Sequence, residues 1–402
     1  MEANQIPLDE LVAIGIDVQR KATTIIASSL AIVSLISSSA LIWMIKRSRA
    51  SFTTTYNRIL LAMAISDIIF SFSVSHFNFT TPIDDNYFVW NASGNQLTCS
   101  IQGFASGVGA ASGLLYSCSL NLYSLAVVKY NKPDRYIRRK VEPFLHGVPI
   151  AWALISSITL LAKQNFNDGG GGNCFAPIYE PPHCIGYEDG ETREGFEIPC
   201  GRGHDGAVLF YYLNGFGTLF LVPLVVGTSL GVIYRSVSKQ ENKMASYGAS
   251  TLNATQTASD QQPDRSNSRI VLHRSIAYSA SYFLTWGFFI IGSCFDIANK
   301  EWPTPLLYLI NTFNPLQGFF NFVIYIVIYI FPKVIRAKSR GDDNMTWFQA
   351  FKIAFMGGET GRATGRPRQE PCNRIPQAPG GRVGTMSTRD ATTTEQLGED
   401  DA

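Results

Sequence analysis

Seven long stretches with almost no charged residue constrain the fold of this chain more than any other feature. Each contains 19 to 31 residues, and an apolar helix needs about 20 residues to cross the hydrocarbon core of a bilayer. Lipid offers no partners to backbone N–H and C=O groups, so a helix is the natural spanning form, and the stretches are too long for barrel strands. The pattern predicts an all-α membrane protein, a bundle of seven transmembrane helices. The stretches are Ala22–Ile45, Ile59–Phe77, Cys99–Val128, Phe144–Ala162, Gly206–Tyr234, Ser275–Phe295 and Trp302–Pro332.

Nearly all charge lies between these stretches. The chain has 33 Lys and Arg residues and 31 Asp and Glu residues, and of these only Asp67 lies inside a stretch. A lone carboxylate at membrane depth costs about 2.5–3.5 kcal/mol on insertion scales, so such a residue is a candidate functional site by default. The net charge of only +2 argues against nucleic acid as a partner.

The connecting segments alternate in charge along the chain. Segments 46–58, 129–143 and 235–274 are rich in Lys and Arg, whereas 77–98 has two acids and no base and 163–205 has eight acids against three bases. Basic loops stay in the cytoplasm, which predicts an N-terminus outside and a C-terminus inside. The predicted parts are an extracellular segment 1–21, a seven-helix domain 22–340 and a largely disordered cytoplasmic tail 341–402. The predicted helices are about 22–45, 59–77, 99–130, 144–162, 206–236, 270–295 and 302–332.

Cysteines and glycosylation sequons agree with this topology. Four of the seven cysteines fall on the predicted outer side, where disulfides persist, and four cysteines allow three pairings. Asn78 and Asn91 begin sequons on the same side, and Asn91 is the better acceptor because Asn78 lies at the membrane edge. The four outer cysteines are Cys99, Cys174, Cys184 and Cys200.

A short aromatic segment follows the last stretch. Trp347, Phe348, Phe351 and Phe355 are spaced three and four apart within Met345–Phe355, which places them on one face of a helix. The pattern predicts a short amphipathic helix that lies at the membrane interface after the seventh helix.

Short motifs stand in a fixed order along the predicted helices. They are Leu60-Leu61-Ala62-Met63-Ala64-Ile65-Ser66-Asp67, Trp152, Pro223, Tyr282-Phe283-Leu284-Thr285-Trp286 and Asn321-Phe322-Val323-Ile324-Tyr325. Together with seven helices, they resemble the motifs of rhodopsin-like G-protein-coupled receptors. Two further motifs are similar to those of the cAMP-receptor-like group of non-animal eukaryotes, namely Cys99-x-x-Gln102-Gly103-Phe104 and Pro315-Leu316-Gln317-Gly318-Phe319-Phe320-Asn321.

The resemblance implies roles for individual residues. Asp67 would hold a cation or a proton, with Asn321 and, less directly, Asn121 as its neighbours. Trp286 and Tyr325 would act as activation switches. By analogy with the related receptors, Cys99 would pair with Cys174, which leaves Cys184 with Cys200.

The family's Asp-Arg-Tyr switch belongs at the inner end of the third helix. There this chain has Val128-Lys129-Tyr130, so Lys129 and Tyr130 are the candidate switch residues and an acid–base lock within the tripeptide is impossible. The motif itself occurs further on, as Asp134-Arg135-Tyr136. It follows Pro133, and continuing a helix through a proline costs free energy. We therefore do not equate it with the switch.

The resemblance predicts a receptor rather than an enzyme. It would carry a signal from an unknown extracellular ligand, across the plasma membrane, to a heterotrimeric G protein, with no cofactor and no metal. A retinal pump would need a lysine in 302–332, and a seven-helix zinc hydrolase would need clustered histidines; the sequence shows neither. A solute or ion transporter or channel that uses Asp67 remains the alternative.

Overall fold

In the computed structural model, the described part of the chain contains seven helices that are long and apolar enough to cross a membrane. The all-α, seven-helix membrane fold predicted from the uncharged stretches is confirmed. The structure describes residues 8–48, 51–82, 90–168, 173–176, 218–250, 262–298, 300, 302–340, 346 and 349.

Most of the helices extend beyond the ends of the uncharged stretches. The length of an uncharged stretch reflects the thickness of the bilayer, and a helix can continue into the charged residues on either side. Two short strands pair antiparallel between the fourth and fifth spans. The elements are α1 Leu8–Arg47, α2 Thr55–Val74, α3 Gln96–Val128, α4 Asp134–Lys140, α5 Glu142–Ala162, β1 Asn167–Asp168, β2 Cys174–Phe175, α6 Thr218–Ser250, α7 Gln262–Ile297, α8 Thr304–Phe313, α9 Gln317–Tyr325 and α10 Phe331–Arg340.

Helix α3 is the centre of the bundle. It packs against α2, α5, α6, α7 and both strands, while α1 packs against α2, α8 and α9. The start of α3 is well defined: the Asn95 side chain accepts a hydrogen bond from the backbone of Thr98, and the Thr98 side chain accepts one from the backbone of Asn95. This reciprocal capping satisfies two donors that a helix start leaves free. We call the end of the bundle near Cys99 the disulfide end, and the opposite end, with segments 46–58 and 129–143, the basic end.

The seventh span, Thr304–Ile335, is not one regular helix. A 3₁₀ turn at Asn314–Leu316 separates α8 from α9, and a π turn at Ile326–Ile330 separates α9 from α10. Pro315 lies inside the 3₁₀ turn and cannot donate a backbone hydrogen bond, which accounts for the break there. Turns of both kinds within a helix often mark functional positions.

Several predictions fall outside the described residues. They are the pairing of Cys184 with Cys200, the interfacial helix at 345–355, the start of the fifth helix at 206–217 and the tail.

Candidate functional site

The carboxylate of Asp67 is buried in the bundle and contacts the seventh span. Asp67 is only 4% exposed. Its Oδ2 accepts a hydrogen bond of 2.8 Å from Nδ2 of Asn321. Its other oxygen faces Gly113 of α3, where an added Cβ would lie 3.7 Å away. Asp67 therefore joins α2 to α9 in the middle of the bundle, as the resemblance predicts for Asn321.

Asn121, the less direct of the two predicted neighbours of Asp67, makes its described hydrogen bonds elsewhere. Its Nδ2 donates to the carbonyl of Ser117 at 3.0 Å, and its Oδ1 accepts a bond of 3.2 Å from the hydroxyl of Ser279. Asn121 thus ties α3 to α7. The sequence places Asn121 at a similar depth to Asp67 but does not give the direction in which its side chain points.

Trp286 connects to the same part of the seventh span. Its indole Nε1–H donates to Oε1 of Gln317, and its ring packs against Phe70 and Phe289 with centroids 5.9 and 6.1 Å apart. Because Gln317 and Asn321 lie on consecutive turns of α9, that short helix carries contacts to both α7 and α2. The pairing of Trp286 with Gln317 was not visible in the sequence.

Gly318 brings α9 against α1. Its backbone N–H donates to the hydroxyl of Ser34 at 3.1 Å, and a Cβ at this position would overlap the hydroxyl of Ser38. The motif Gln317-Gly318-x-x-Asn321 therefore binds three different helices within five residues. Glycine is required at position 318 because the backbones of α1 and α9 approach closely there.

We expect Gly318→Ala to destabilise the bundle by about 1–3 kcal/mol, the usual cost of forcing extra atoms into a packed core. The matched control is Gly231→Ala, because a Cβ there meets nothing within 4 Å and alanine favours the helix. Thermal unfolding in detergent followed by circular dichroism measures both variants. Equal midpoints for the two variants would contradict the close approach of α1 and α9.

Gln102 organises the disulfide end. Its Oε1 accepts from the hydroxyl of Thr80 at 2.6 Å and from the backbone of Cys174 at 3.3 Å, and its Nε2 donates to the carbonyl of Ser73 at 2.8 Å. Cys99 and Cys174 form a disulfide, which is the pairing implied by the resemblance. The motif Cys99-x-x-Gln102 thus fixes the β1–β2 hairpin onto α3 at two points.

Gly103, the next residue of this motif, allows Phe166 to lie against α3, since an added Cβ would be 2.6 Å from its ring. Phe166 directly precedes the hairpin and is only 2% exposed. Phe166 and Cys174 therefore both lie against the disulfide end of α3, where Gly103 accommodates the first and Cys99 and Gln102 hold the second.

The two candidate glycosylation sites differ in burial. Asn78 is 3% exposed, and its Nδ2 donates to the hydroxyl of Thr24 and the carbonyl of Trp90. A glycan would replace one of the two hydrogens on this buried nitrogen and so break at least one of these bonds, so the structure disfavours Asn78. Asn91 is partly exposed, with its Nδ2 on the carbonyl of Phe77 at 2.8 Å.

The candidate switch residues after α3 lie at the surface of the basic end. Lys129 and Tyr130 are both exposed, and the ammonium of Lys129 lies 5.2 Å from the Tyr130 ring. Asp134 begins the separate helix α4, and its Oδ1 accepts a bond of 3.4 Å from the backbone of Thr55 at the start of α2. Asp134 therefore supports a helix N-terminus, where a carboxylate is favourable.

A salt bridge that the sequence did not reveal lies beside these residues. Arg58 of α2 contacts both carboxylate oxygens of Glu142 at the start of α5, and the Nη2–Oε2 distance is 2.6 Å. The hydroxyl of Thr55 donates to the same carboxylate at 3.0 Å. Bidentate pairing of this kind combines strength with fixed geometry.

Tyr325, the other candidate switch, is buried at the basic end. It is 1% exposed, and its ring stacks on Tyr329 with centroids 5.2 Å apart and planes 5° apart. Among the described residues, no group of three or more His, Cys, Asp or Glu could hold a metal ion.

The bundle is similar in fold to the rhodopsin class of seven-helix proteins. The crystal structure of squid rhodopsin matches with a TM-score of 0.57, and the match covers 88% of this chain and 93% of squid rhodopsin. The sequence identity is 16%, so this likeness shows the fold alone. No protein-family model and no curated protein matches the sequence.

Proposed function

We propose that the chain is a membrane receptor that transmits an extracellular signal to a heterotrimeric G protein through rearrangement of its seven helices. The observation that supports this most directly is the set of buried polar contacts made by α9. Within five residues, Gln317, Gly318 and Asn321 bind Trp286 of α7, Ser34 of α1 and Asp67 of α2. A movement of α9 would therefore change its contacts with three other spans.

The two ends of the bundle suit the two halves of this function. At the disulfide end, the Cys99–Cys174 bridge and Gln102 hold the hairpin over α3, where it would border a ligand site. At the basic end, α4 carries exposed Arg138, Arg139 and Lys140, which suit the cytoplasmic side. The proposed orientation is an outer N-terminus in the plasma membrane, with Asn91 as the proposed glycan acceptor and no catalytic activity.

Asp67→Asn is expected to raise stability and lower activity together. Asparagine keeps a hydrogen-bonding group for Asn321 but removes the cost of holding a charge at membrane depth, so the unfolding midpoint rises by about 3 °C or more. A carboxylate can change its charge between two states and an amide cannot, so basal nucleotide exchange on a G protein falls about fivefold or more. The measurement is nucleotide exchange by the chain reconstituted with G proteins.

Asn311→Ala is the control for this experiment. Asn311 lies in the same span as Asn321, and within the described part of the chain its side chain donates to a carbonyl of its own helix. This variant should leave exchange unchanged. Lys129→Ala tests the exposed switch candidate in the same assay. An absence of exchange with every G protein and ligand tested would contradict the receptor, and Asp67-dependent ion flux into vesicles would instead support a transporter or channel.

A further inference from the structure

We propose that Arg274 holds the basic end of the bundle closed by stacking against two tyrosines, and that the π turn of the seventh span controls this contact. The inference rests on the proposed receptor only for its use in signalling. The contact itself is a property of the bundle and can be tested with no G protein present.

The guanidinium of Arg274 lies against rings from two other spans. Its Cζ is 5.0 Å from the ring centroid of Tyr56 in α2 and 4.6 Å from that of Tyr329 in the seventh span. The two rings are 10° from parallel, with centroids 6.3 Å apart. A planar guanidinium stacks well on aromatic faces, and such contacts strengthen where water is excluded.

The surroundings of Arg274 leave these rings as its main partners. Its Nε is buried with no hydrogen-bond partner among the described residues. On the same helix, the hydroxyl of Tyr278 accepts a bond of 3.3 Å from the hydroxyl of Tyr56. Helix α7 is therefore joined to α2 at two successive turns, and to the seventh span through Tyr329.

Tyr329 owes its position to the π turn. It lies within Ile326–Ile330 and stacks on Tyr325, which directly precedes the turn. A π turn holds an extra residue relative to an α-helix, so a return to regular α-helix would rotate the following residues by about 100° around the axis. Tyr329 would then leave Arg274, which gives the contact two distinct arrangements.

The contact of Arg274 with the two tyrosines takes the place of an acid–base lock at the end of α3. Val128 and Lys129 cannot form an acid–base lock, and Lys129 is exposed. Arg274 provides a half-buried cation from α7 instead, and aromatic faces replace the carboxylate. Opening the end would separate α7 from α2 and from the seventh span without exposing an unpaired acid.

The test is hydrogen exchange followed by mass spectrometry on the full chain in detergent, without a G protein. Arg274→Met and Tyr329→Leu should speed amide exchange about tenfold in segments 269–278 and 325–335, as loss of a partly desolvated cation–π contact allows. Tyr329→Phe keeps the ring and should stay within about twofold of the unmodified chain. Arg139→Met removes an exposed cation of α4 and should change neither segment.

Two outcomes would overturn the lock. One is unchanged exchange in both segments with Arg274→Met, and the other is faster exchange spread equally over α2, α3 and α5, which would indicate general destabilisation. If Arg274→Met does not fold, the comparison of Tyr329→Leu with Tyr329→Phe decides. Nucleotide exchange is measured after a G protein is added to portions of the same preparations. Faster amide exchange with no G-protein activity in any preparation would support the Arg274 contact and contradict the proposed receptor.

Discussion

Cys99→Ala should lower the stability of the bundle by about 4 kcal/mol, the largest effect we expect from a single substitution. The disulfide closes a loop of 75 residues, and cross-linking so long a loop removes much entropy from the unfolded chain. It also holds Cys174, whose backbone donates to Gln102, so that loss of the bond loosens the hairpin as well. Thermal unfolding of the variant should begin about 8 °C or more below that of the unmodified chain.

The double variant Cys99→Ala/Cys174→Ala is the matched control, and it should unfold within about 0.5 kcal/mol of the single variant because the two changes remove one bond. In reductant, the unmodified chain and the double variant should unfold at the same midpoint. Any further fall of the double variant in reductant would report the proposed pairing of Cys184 with Cys200. A single variant as stable as the unmodified chain would contradict a structural role for the disulfide.

Arg58→Met should cost about 3 kcal/mol. The side chains of Arg58 and Glu142 are 22% and 11% exposed, and removing one partner of such a pair leaves the other charge poorly solvated. Arg58 also donates to the carbonyl of Phe52 at 2.6 Å, so the loop between α1 and α2 loses an anchor. The thermal midpoint measures the effect.

The double variant Arg58→Met/Glu142→Leu should recover most of that loss, because no charge is then left unpaired. Arg138→Met is a second control. Arg138 is exposed and, like Arg58 and Glu142, lines a cleft of about 610 Å³ between α2, α4 and α5. Its substitution should change the free energy of unfolding by no more than about 0.5 kcal/mol. A double variant less stable than Arg58→Met alone would show that the ion pair is not the reason for the cost.

Asp67 illustrates what the sequence can predict. Its position inside an uncharged stretch indicates a buried carboxylate by physical argument alone, and the order of the motifs identifies Asn321 as a partner. The seven spans follow from the same absence of charge. Both inferences depend on the cost of charge in lipid, which acts on each residue whatever its neighbours are.

Arg274 and Arg58 show where such reasoning stops. Both look like ordinary basic residues of the predicted inner segments, since segments 46–58 and 235–274 are rich in Lys and Arg. What distinguishes them is their partners, which are distant in the chain. Glu142 is 84 residues from Arg58, and Tyr56 and Tyr329 are 218 and 55 residues from Arg274. The partners of Gln102 and Gln317 were hidden for the same reason, because an amide shows no preference among distant partners until the helices pack.

The two irregular turns of the seventh span act in opposite senses on its twist. A 3₁₀ turn winds the chain more tightly than an α-helix, by roughly 20° per residue, and a π turn winds it less tightly. Helix α9 lies between them. If both turns relaxed to α-helix, α9 would rotate about its axis by roughly 60° relative to α8. The opposite change at the π turn, about 100°, would more than offset this and leave α10 rotated by only roughly 40°. Gln317, Gly318 and Asn321 would then change partners together, with a smaller rotation passed on to α10.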